Sequence, residues 1–461
     1  MSLIKSISGT RGTIGGKPGE NLTPIDIVQF SAAYGTRLKA SDQPHKVVIG
    51  RDARISGQLV QDLVINTLVA LGIDIIDLGL STTPTVAMAV PNEAAGGGII
   101  VTASHNPKQW NALKFLNEKG EFISAKAGKE ILKIAAKNEM EFATIDQLGS
   151  ITKKDDYINW HIEEILKLPL VKAESVKAKN FKVVVDCINS TGALSIPPLL
   201  EKLGCDVFLI NEEVNGRFAH NPEPLPENLN DLSRAVTFHN AHLGIAVDPD
   251  VDRLALVSED GEMFGEEYTL VAIADYVLQN QPGNTVSNLS STRGLKLVTE
   301  KHGQQYTAAA VGEVNVVKAM KKTKAVIGGE GNGGVIYPDL HYGRDALVGI
   351  ALFLSHLAEY GKSVSFLRKT YPSDVISKNK IQLTPEIDLD NVLEKLSTKY
   401  NQQPQNTIDG LKIEFDEDWI HLRKSNTEPI IRIYAESHSE VMAQNLANKI
   451  QADISDLIKG N

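Results

Sequence analysis

Between Asp248 and Arg253 the chain reads Asp-Pro-Asp-Val-Asp-Arg, three carboxylates at every second position and then a guanidinium. If the segment is extended, alternate side chains leave the same face, so Asp248, Asp250 and Asp252 converge on one point. Bunched carboxylates repel unless a cation sits among them. A hard divalent ion with oxygen ligands is the natural occupant, and Mg²⁺ takes few carboxylates while keeping positions open for water or a phosphate oxygen. Two other readings compete. An EF-hand calcium loop begins with the same alternation, and Glu259 falls at its twelfth position. Against it, Arg253 stands where that loop needs Gly, Pro249 interrupts it, and the flanks Leu243–Val247 and Leu254–Val257 are apolar runs that read as strands. The other is a solvated acidic turn with no ion.

Three further stretches carry chemistry. Gly96-Gly-Gly-Ile-Ile-Val-Thr-Ala-Ser-His-Asn-Pro107 is a glycine cluster, a short apolar strand and a tight loop with Ser104 beside His105. A hydroxyl on such a turn, among backbone N–H groups that can face an anion, suits a covalent phosphate carrier, although a Ser-His-Asn-Pro turn also serves as a plain cap. A hydrolase elbow of the Gly-x-Ser-x-Gly type is absent. Gly328-Gly-Glu-Gly-Asn-Gly-Gly334 surrounds one acid and one amide with glycines, which permits close approach to vicinal hydroxyls or makes an ordinary turn. Arg423, Ser425, Asn426, Thr427 and Arg432 combine planar forks, hydroxyls and a turn before Pro429, the makings of a phosphate clamp or a solvated basic turn.

These loops need rigid elements to hold them. Three segments share one plan of strand, polar turn, helix and, in two of them, a Leu-Gly pair before the next strand: Lys46 to Asp77 through a helix at 58–71, Phe181 to Ile210, and a weaker copy from Asn284 to Tyr306. Strands alternating with helices give parallel, three-layered α/β units, and three copies suggest a duplicated domain. After Pro372 the pattern becomes an α+β one, with helices at 389–400 and 440–459 and strands at 411–415, 419–422 and 430–435. The expected domains are therefore 1–155, 156–258, 259–370 and 371–461. A chain of 461 residues exceeds what one core usually serves, which agrees.

Bulk properties exclude some classes. No apolar run reaches the roughly 18 residues a membrane helix needs, and Met1-Ser-Leu-Ile-Lys lacks the shape of a signal peptide, so a cytoplasmic location is expected. A net charge of −10 argues against nucleic acid as a partner. Cys187 and Cys205 are expected to be free core thiols.

Thr102-Ala-Ser-His-Asn-Pro107, Asp248-Pro-Asp-Val-Asp-Arg253, Gly329-Glu-Gly-Asn-Gly333 and Arg423-Lys-Ser-Asn-Thr-Glu-Pro429 stand in the order of the four active-site loops of the α-D-phosphohexomutase superfamily, which the chain resembles from Ser8-Gly-Thr-Arg-Gly12 to Ile431-Arg-Ile-Tyr-Ala-Glu436. The resemblance implies three related mixed-sheet α/β domains with helices on both faces and a smaller C-terminal α+β domain around a central cleft. It implies that Ser104 is the phosphorylated serine and that its phosphate joins Asp248, Asp250 and Asp252 around one Mg²⁺. Arg253 would hold a phosphoryl oxygen. Arg11 and Lys114 would lie beside the reacting phosphate, with Lys114 a proton shuttle whose pKa Arg11 and the metal lower, and His105 a second acid/base or positioning group. Glu330 and Asn332 would read the sugar's 3- and 4-hydroxyls, and the Arg423 to Arg432 set would hold the remote phosphate.

The implied activity interconverts hexose 6-phosphate and hexose 1-phosphate through a hexose 1,6-bisphosphate, which also serves as activator. Glucosamine phosphate is the first expectation for substrate, with mannose or glucose phosphate next, and the protein is expected as a monomer or homodimer. Asn332 and Gly334 depart from many bacterial members, which carry Ser and His there, and are closer to the archaeal type. Any proton transfer by that His has no counterpart here. The rivals are a metal-dependent phosphoserine hydrolase and a calcium-binding module.

Overall fold

The computed structural model describes residues 2–6, 9–382, 389–424 and 430–459. Four sheets follow one another along the chain. In the first, Lys46–Arg51 pairs in parallel with Asp74–Leu80 on one side and Gly97–Val101 on the other, and Trp110–Leu116 adds antiparallel to Gly97–Val101. The second repeats this with Lys182–Asp186 between Asp206–Ile210 and Leu243–Val247, closed by antiparallel Leu254–Ser258. The third repeats it again with Thr285–Asn288 between Tyr306–Ala309 and Ile327–Glu330, closed by Gly334–Ile336. Strands rich in Val and Ile, buried on both faces, favour this parallel centre.

The repetition has a functional consequence. In every copy one loop joins the third parallel strand to its antiparallel neighbour, and those loops are the serine loop, the Asp248–Arg253 loop and the glycine-rich loop. The fourth sheet, Val375–Gln382, Ile430–Ser437, Trp419–Lys424, Leu411–Glu414 and Gln405–Asn406, is wholly antiparallel, and its fourth candidate loop joins Trp419–Lys424 to Ile430–Ser437.

The architecture agrees with the three related α/β domains and smaller C-terminal domain expected. The differences lie where apolar periodicity is weak. Gly9–Thr13, part of the Gly-Thr-Arg-Gly motif, is a strand between Ile4–Ser6 and Trp110–Leu116, and the polar Val375–Gln382 is an edge strand. Neither has the alternation that marks a half-buried strand. The core of the second and third copies is continuous. Helix Ala346–Tyr360, apolar on all sides, is buried without interruption from Ala346 to Ala358 between them. The C-terminal unit has its own core around Leu396, Ile420 and Ile450. Cys187 and Cys205 are both free. No helix among the described residues is long and apolar enough to cross a membrane.

Candidate active site

Ser104 lies just past the strand Gly97–Val101 in the left-handed backbone region, at φ 49°. For a residue with a Cβ that conformation is uncommon and needs support. Its N–H donates to Thr102 Oγ1 at 2.9 Å, and Thr102 in turn donates to Asp52 Oδ2 at 2.6 Å. Arg54 fastens the loop from beneath. Its Nε pairs with Asp52 at 3.0 Å, Nη1 donates to the carbonyls of Pro107 at 2.9 Å and Trp110 at 3.0 Å, and Nη2 donates to those of Ser104 and Asn106. Both side chains of this pair are fully buried.

The three aspartates converge, but not by strand alternation. Pro249–Asp250 is a turn, and Val251 sits at φ 62°, an outlier for a β-branched residue. Its N–H reaches Asp248 O at 3.0 Å and its carbonyl accepts from Ala346 N at 3.2 Å, so helix Ala346–Tyr360 holds the strained residue. All three side chains are buried, with ligand oxygens within 4.8 Å of one another.

Each carboxylate has anchored oxygens. Asp248 Oδ1 accepts the N–H groups of Asp252 and Arg253 at 3.1 Å, and its Oδ2 accepts Ser104 Oγ at 2.5 Å. Asp250 Oδ2 accepts Thr83 Oγ1 at 2.5 Å and Lys114 Nζ at 2.7 Å. Asp252 Oδ2 accepts Arg344 at 2.7 Å, with Lys114 Nζ 3.6 Å away. Asp250 Oδ1 and Asp252 Oδ1 are buried with no partner. Orphaned carboxylate oxygens beside a serine hydroxyl are an all-oxygen donor set that fits a hard divalent cation.

The charges are strongly coupled. Burial, then Asp252 and Asp250, push Asp248 well above the usual carboxylate range. Burial pushes Asp250 the same way, but Lys114 and the hydrogen bonds from Lys114 and Thr83 outweigh it and hold the group below that range. Lys114 departs from expectation: burial lowers its pKa, yet Asp250 and Asp252 outweigh burial and raise it, so it stands as an ammonium. The EF-hand reading fails here, because strands flank the loop and Glu259 turns away to accept from Ser365 Oγ at 2.5 Å.

A cleft of about 480 Å³ brings Arg11, His105, Arg253, Glu330, Asn332, Arg423 and Arg432 to one space. An adjoining hollow is lined by Arg11, Ser104, His105, Lys114 and Arg253. Nδ1 of His105 is 3.4 Å from Ser104 Oγ. Burial, then the cations Arg253 and Arg344, hold this imidazole well below its usual pKa. Arg253 donates to Glu223 at 3.0 Å. Glu330 accepts from Asn288 at 2.9 Å and from Gly312 N at 3.2 Å, and Asn332 Oδ1 accepts from Gly334 N at 3.2 Å. Arg423 lies directly across from Arg432 on adjacent strands, and Arg432 across from Lys380. Like charges in that position are unfavourable by themselves, and an anion between them reverses the sign. Arg423 Nε approaches Asp409 to 3.4 Å. Ser425, Asn426 and Thr427 lie outside the described residues.

Several site residues had no sequence signal: Arg344, Thr83, Asp52 with Arg54, and the cleft-lining Lys378 and Glu267. Glu267 was invisible because it sits in an ordinary helical stretch, although burial pushes its carboxyl up to about 8. Glu223 and Glu313 pair with Arg253 and Arg344.

The comparisons with known proteins agree with this arrangement. The chain matches all four domain descriptions of phosphoglucomutase/phosphomannomutase: alpha/beta/alpha domain I over residues 4–142, domain II over 157–261, domain III over 265–374 and the C-terminal domain over 382–452. It is 33% identical to the "Probable phosphoglucosamine mutase" of Methanopyrus kandleri, with 96% of each chain covered. It is 34% identical to the phosphoglucomutase/phosphomannomutase of Thermococcus kodakarensis, covering 94% of this chain and 95% of that one. A phosphoglucomutase/phosphomannomutase family protein of Burkholderia thailandensis superimposes with a TM-score of 0.85 at 25% identity, over 98% of this chain and 97% of the other.

A buried serine against an acidic trio, on a threefold-repeated α/β scaffold, thus defines an intramolecular phosphotransferase of the phosphohexomutase class. The chain belongs to the phosphoglucomutase/phosphomannomutase family.

Proposed function

We propose that this enzyme interconverts the 6- and 1-phosphates of a hexose, with glucosamine phosphate as the preferred sugar and mannose or glucose phosphate as alternatives. The observation that carries the reading is the 2.5 Å contact of Ser104 Oγ with Asp248, in a hollow that shares Arg11, His105 and Arg253 with the cleft lined by Arg423 and Arg432. The preference for glucosamine phosphate leans on the Methanopyrus relative's name, and the alternatives on that of the Thermococcus relative.

The reaction moves one phosphoryl group twice. Phospho-Ser104 donates to the free hydroxyl of the bound sugar monophosphate: the hydroxyl oxygen bonds to phosphorus, the Ser104 Oγ–P bond breaks, and the product is a hexose 1,6-bisphosphate. This species turns end for end; Ser104 Oγ then bonds to the other phosphorus, the sugar O–P bond there breaks, and the proton transfers of the first step run in reverse. Mg²⁺, held by Asp248, Asp250, Asp252 and the phosphate of Ser104, would neutralise charge on the moving group. His105, which burial keeps neutral, accepts the proton of the attacking hydroxyl. Lys114, an ammonium among carboxylates, supplies a proton to the serine oxygen as it leaves, and Arg11 and Arg253 neutralise phosphoryl oxygens. Glu330 and Asn332 read sugar hydroxyls in both orientations. Arg423, Ser425, Asn426, Thr427 and Arg432 clamp the phosphate that is not reacting.

The division of the chain near residues 155, 258 and 370 belongs to the same proposal. So do action on small sugar phosphates in the cytoplasm and a monomeric or homodimeric state.

A coupled assay with the three sugar phosphates, trace bisphosphate and Mg²⁺ tests the reading. Ser104→Ala abolishes turnover with an unchanged circular dichroism spectrum, and Asp250→Ala loses Mg²⁺ dependence together with at least about a thousandfold of kcat. Wild-type rates in Ser104→Ala would end the mechanism, and inorganic phosphate without isomerised sugar would make the enzyme a hydrolase.

A further inference from the structure

Arg344, which no sequence motif marks, touches three carboxylates of the site. Its Nη2 donates to Asp252 Oδ2 at 2.7 Å, its Nε to Glu313 Oε2 at 2.8 Å and its Nη1 to Glu330 Oε2 at 3.2 Å. One guanidinium therefore joins three segments: the acidic loop, the first residue of helix Glu313–Thr323 and the end of strand Ile327–Glu330. Arg344 thus occupies Asp252 Oδ2 and leaves Oδ1 buried and unpartnered. Glu330 is fixed at both oxygens, by Arg344 on one and by Asn288 and Gly312 on the other.

The arginine reaches this position by crossing Gly334. A Cβ built on Gly334 would meet Arg344 Cδ at 2.4 Å and Cγ at 3.1 Å. Backbone freedom does not account for the glycine, because Gly334 is absent from the left-handed positions and opens a regular strand, paired with Glu330. Space accounts for it: a side chain at 334 and the stem of Arg344 compete for the same volume.

We propose that Gly334 and Arg344 form a matched pair, in which the glycine clears the path for an arginine that acts as a positioning residue and ties Glu330 to Asp252. Its catalytic consequence rests on the mutase reading above. A sugar read in two opposite orientations must present either hydroxyl at one reaction centre, so the distance from the hydroxyl reader to the acidic trio has to be fixed. A planar fork can span three carboxylates at once. An ammonium is a single point charge on a flexible stem and holds no such fixed spacing between its partners.

A double-mutant cycle tests the pairing, using wild type, Gly334→Ala, Arg344→Ala and the double variant. Three quantities are read: kcat and KM in the coupled assay, the Mg²⁺ dissociation constant by calorimetry without sugar, and the midpoint of thermal unfolding. In the wild-type background Gly334→Ala lowers kcat about tenfold, with a smaller change in KM, and weakens Mg²⁺ about fivefold. In the Arg344→Ala background the same change costs less than about twofold in each. Arg344→Lys keeps the charge and the fold and still loses at least about tenfold in kcat.

Equal costs of Gly334→Ala in the two backgrounds, or wild-type kcat in Arg344→Lys, would overturn the pairing. If wild type turns over none of the sugar phosphates, the mutase reading falls by itself. The Mg²⁺ and thermal cycles then decide the pairing alone, non-additivity supporting it and additivity ending it.

Discussion

Arg54 illustrates how much of a phosphoryl-transfer site is held by residues that never face the substrate. It is fully buried, paired with Asp52, and donates to four carbonyls of the serine loop and its exit. Removing the guanidinium leaves Asp52 buried without its counter-charge and frees those carbonyls. Arg54→Met is expected to lower the free energy of unfolding by about 3–5 kcal/mol, measured by denaturant titration. A loss under about 1 kcal/mol would mean that the left-handed turn at Ser104 supports itself. At this scale the sequence offered residue types but not their electrical state. Lys114 was expected to be acidified by Arg11 and a metal. Two carboxylates at 2.7 and 3.6 Å raise its pKa instead. Gly334 was visible as a departure from related chains, while its reason, the stem of Arg344, lies ten residues away in a segment without any motif.

Among elements, helix Ala346–Tyr360 organises the middle of the molecule. Asp345 caps its start, with Oδ1 accepting from Leu347 N at 2.8 Å and Val348 N at 3.3 Å. Its other oxygen receives His161 at 2.9 Å and His341 at 3.2 Å. His161 Nδ1 meets Thr85 Oγ1 at 2.9 Å, in the helix Thr83–Asn92 whose first residue, Thr83, donates to Asp250. One cap thus connects the first and third α/β units behind the acidic loop, and Arg344 directly precedes it. Asp345→Ala is expected to cost at least about 2 kcal/mol in chemical denaturation, since it removes a cap and strands the donors of the buried His161 and the half-buried His341. Asp345→Asn retains the cap and is expected to recover part of that loss. Equal stabilities of Asp345→Ala and wild type would show that the helix needs neither. The strands and helices themselves were legible where apolar residues repeat at period 2 or in short runs. Gly9–Thr13 was not, because a strand held by neighbours on both sides needs no periodicity of its own.

For the whole molecule, the C-terminal unit docks on the third α/β unit through a row of polar contacts that includes Arg293 with Glu436 and Asp374, and Val311 N with Asp409. His421 Nε2 donates to the Asp409 carbonyl at 2.7 Å, so its Nδ1 accepts from Ser290 Oγ at 2.9 Å. Lys412 Nζ donates to Leu289 O at 3.0 Å. Burial holds His421 at about 4, below its ordinary value of about 6.5. Between these values the unfolded chain binds the proton and the folded one does not, so this stability is present above pH 6.5 and is lost as pH falls toward 4. Calorimetry from pH 7 to pH 5 is expected to show the thermal midpoint of wild type falling more than that of His421→Gln. Parallel falls would assign the acid sensitivity to other groups.

What the sequence determined by itself was local. It set the residue types of four loops, the strand-helix units that carry them, and their order along the chain, because side-chain periodicity and turn chemistry act over a few residues. Only the tertiary structure decided that these loops share one centre, since Ser104 and Asp248 are 144 residues apart and meet through the packing of whole units. It also decided which cations attend the trio. Arg253 and Lys114 were already marked in the chain, one by its place beside the aspartates and one by the family resemblance, whereas Arg344 becomes a site residue only where burial removes water and leaves carboxylates as its partners.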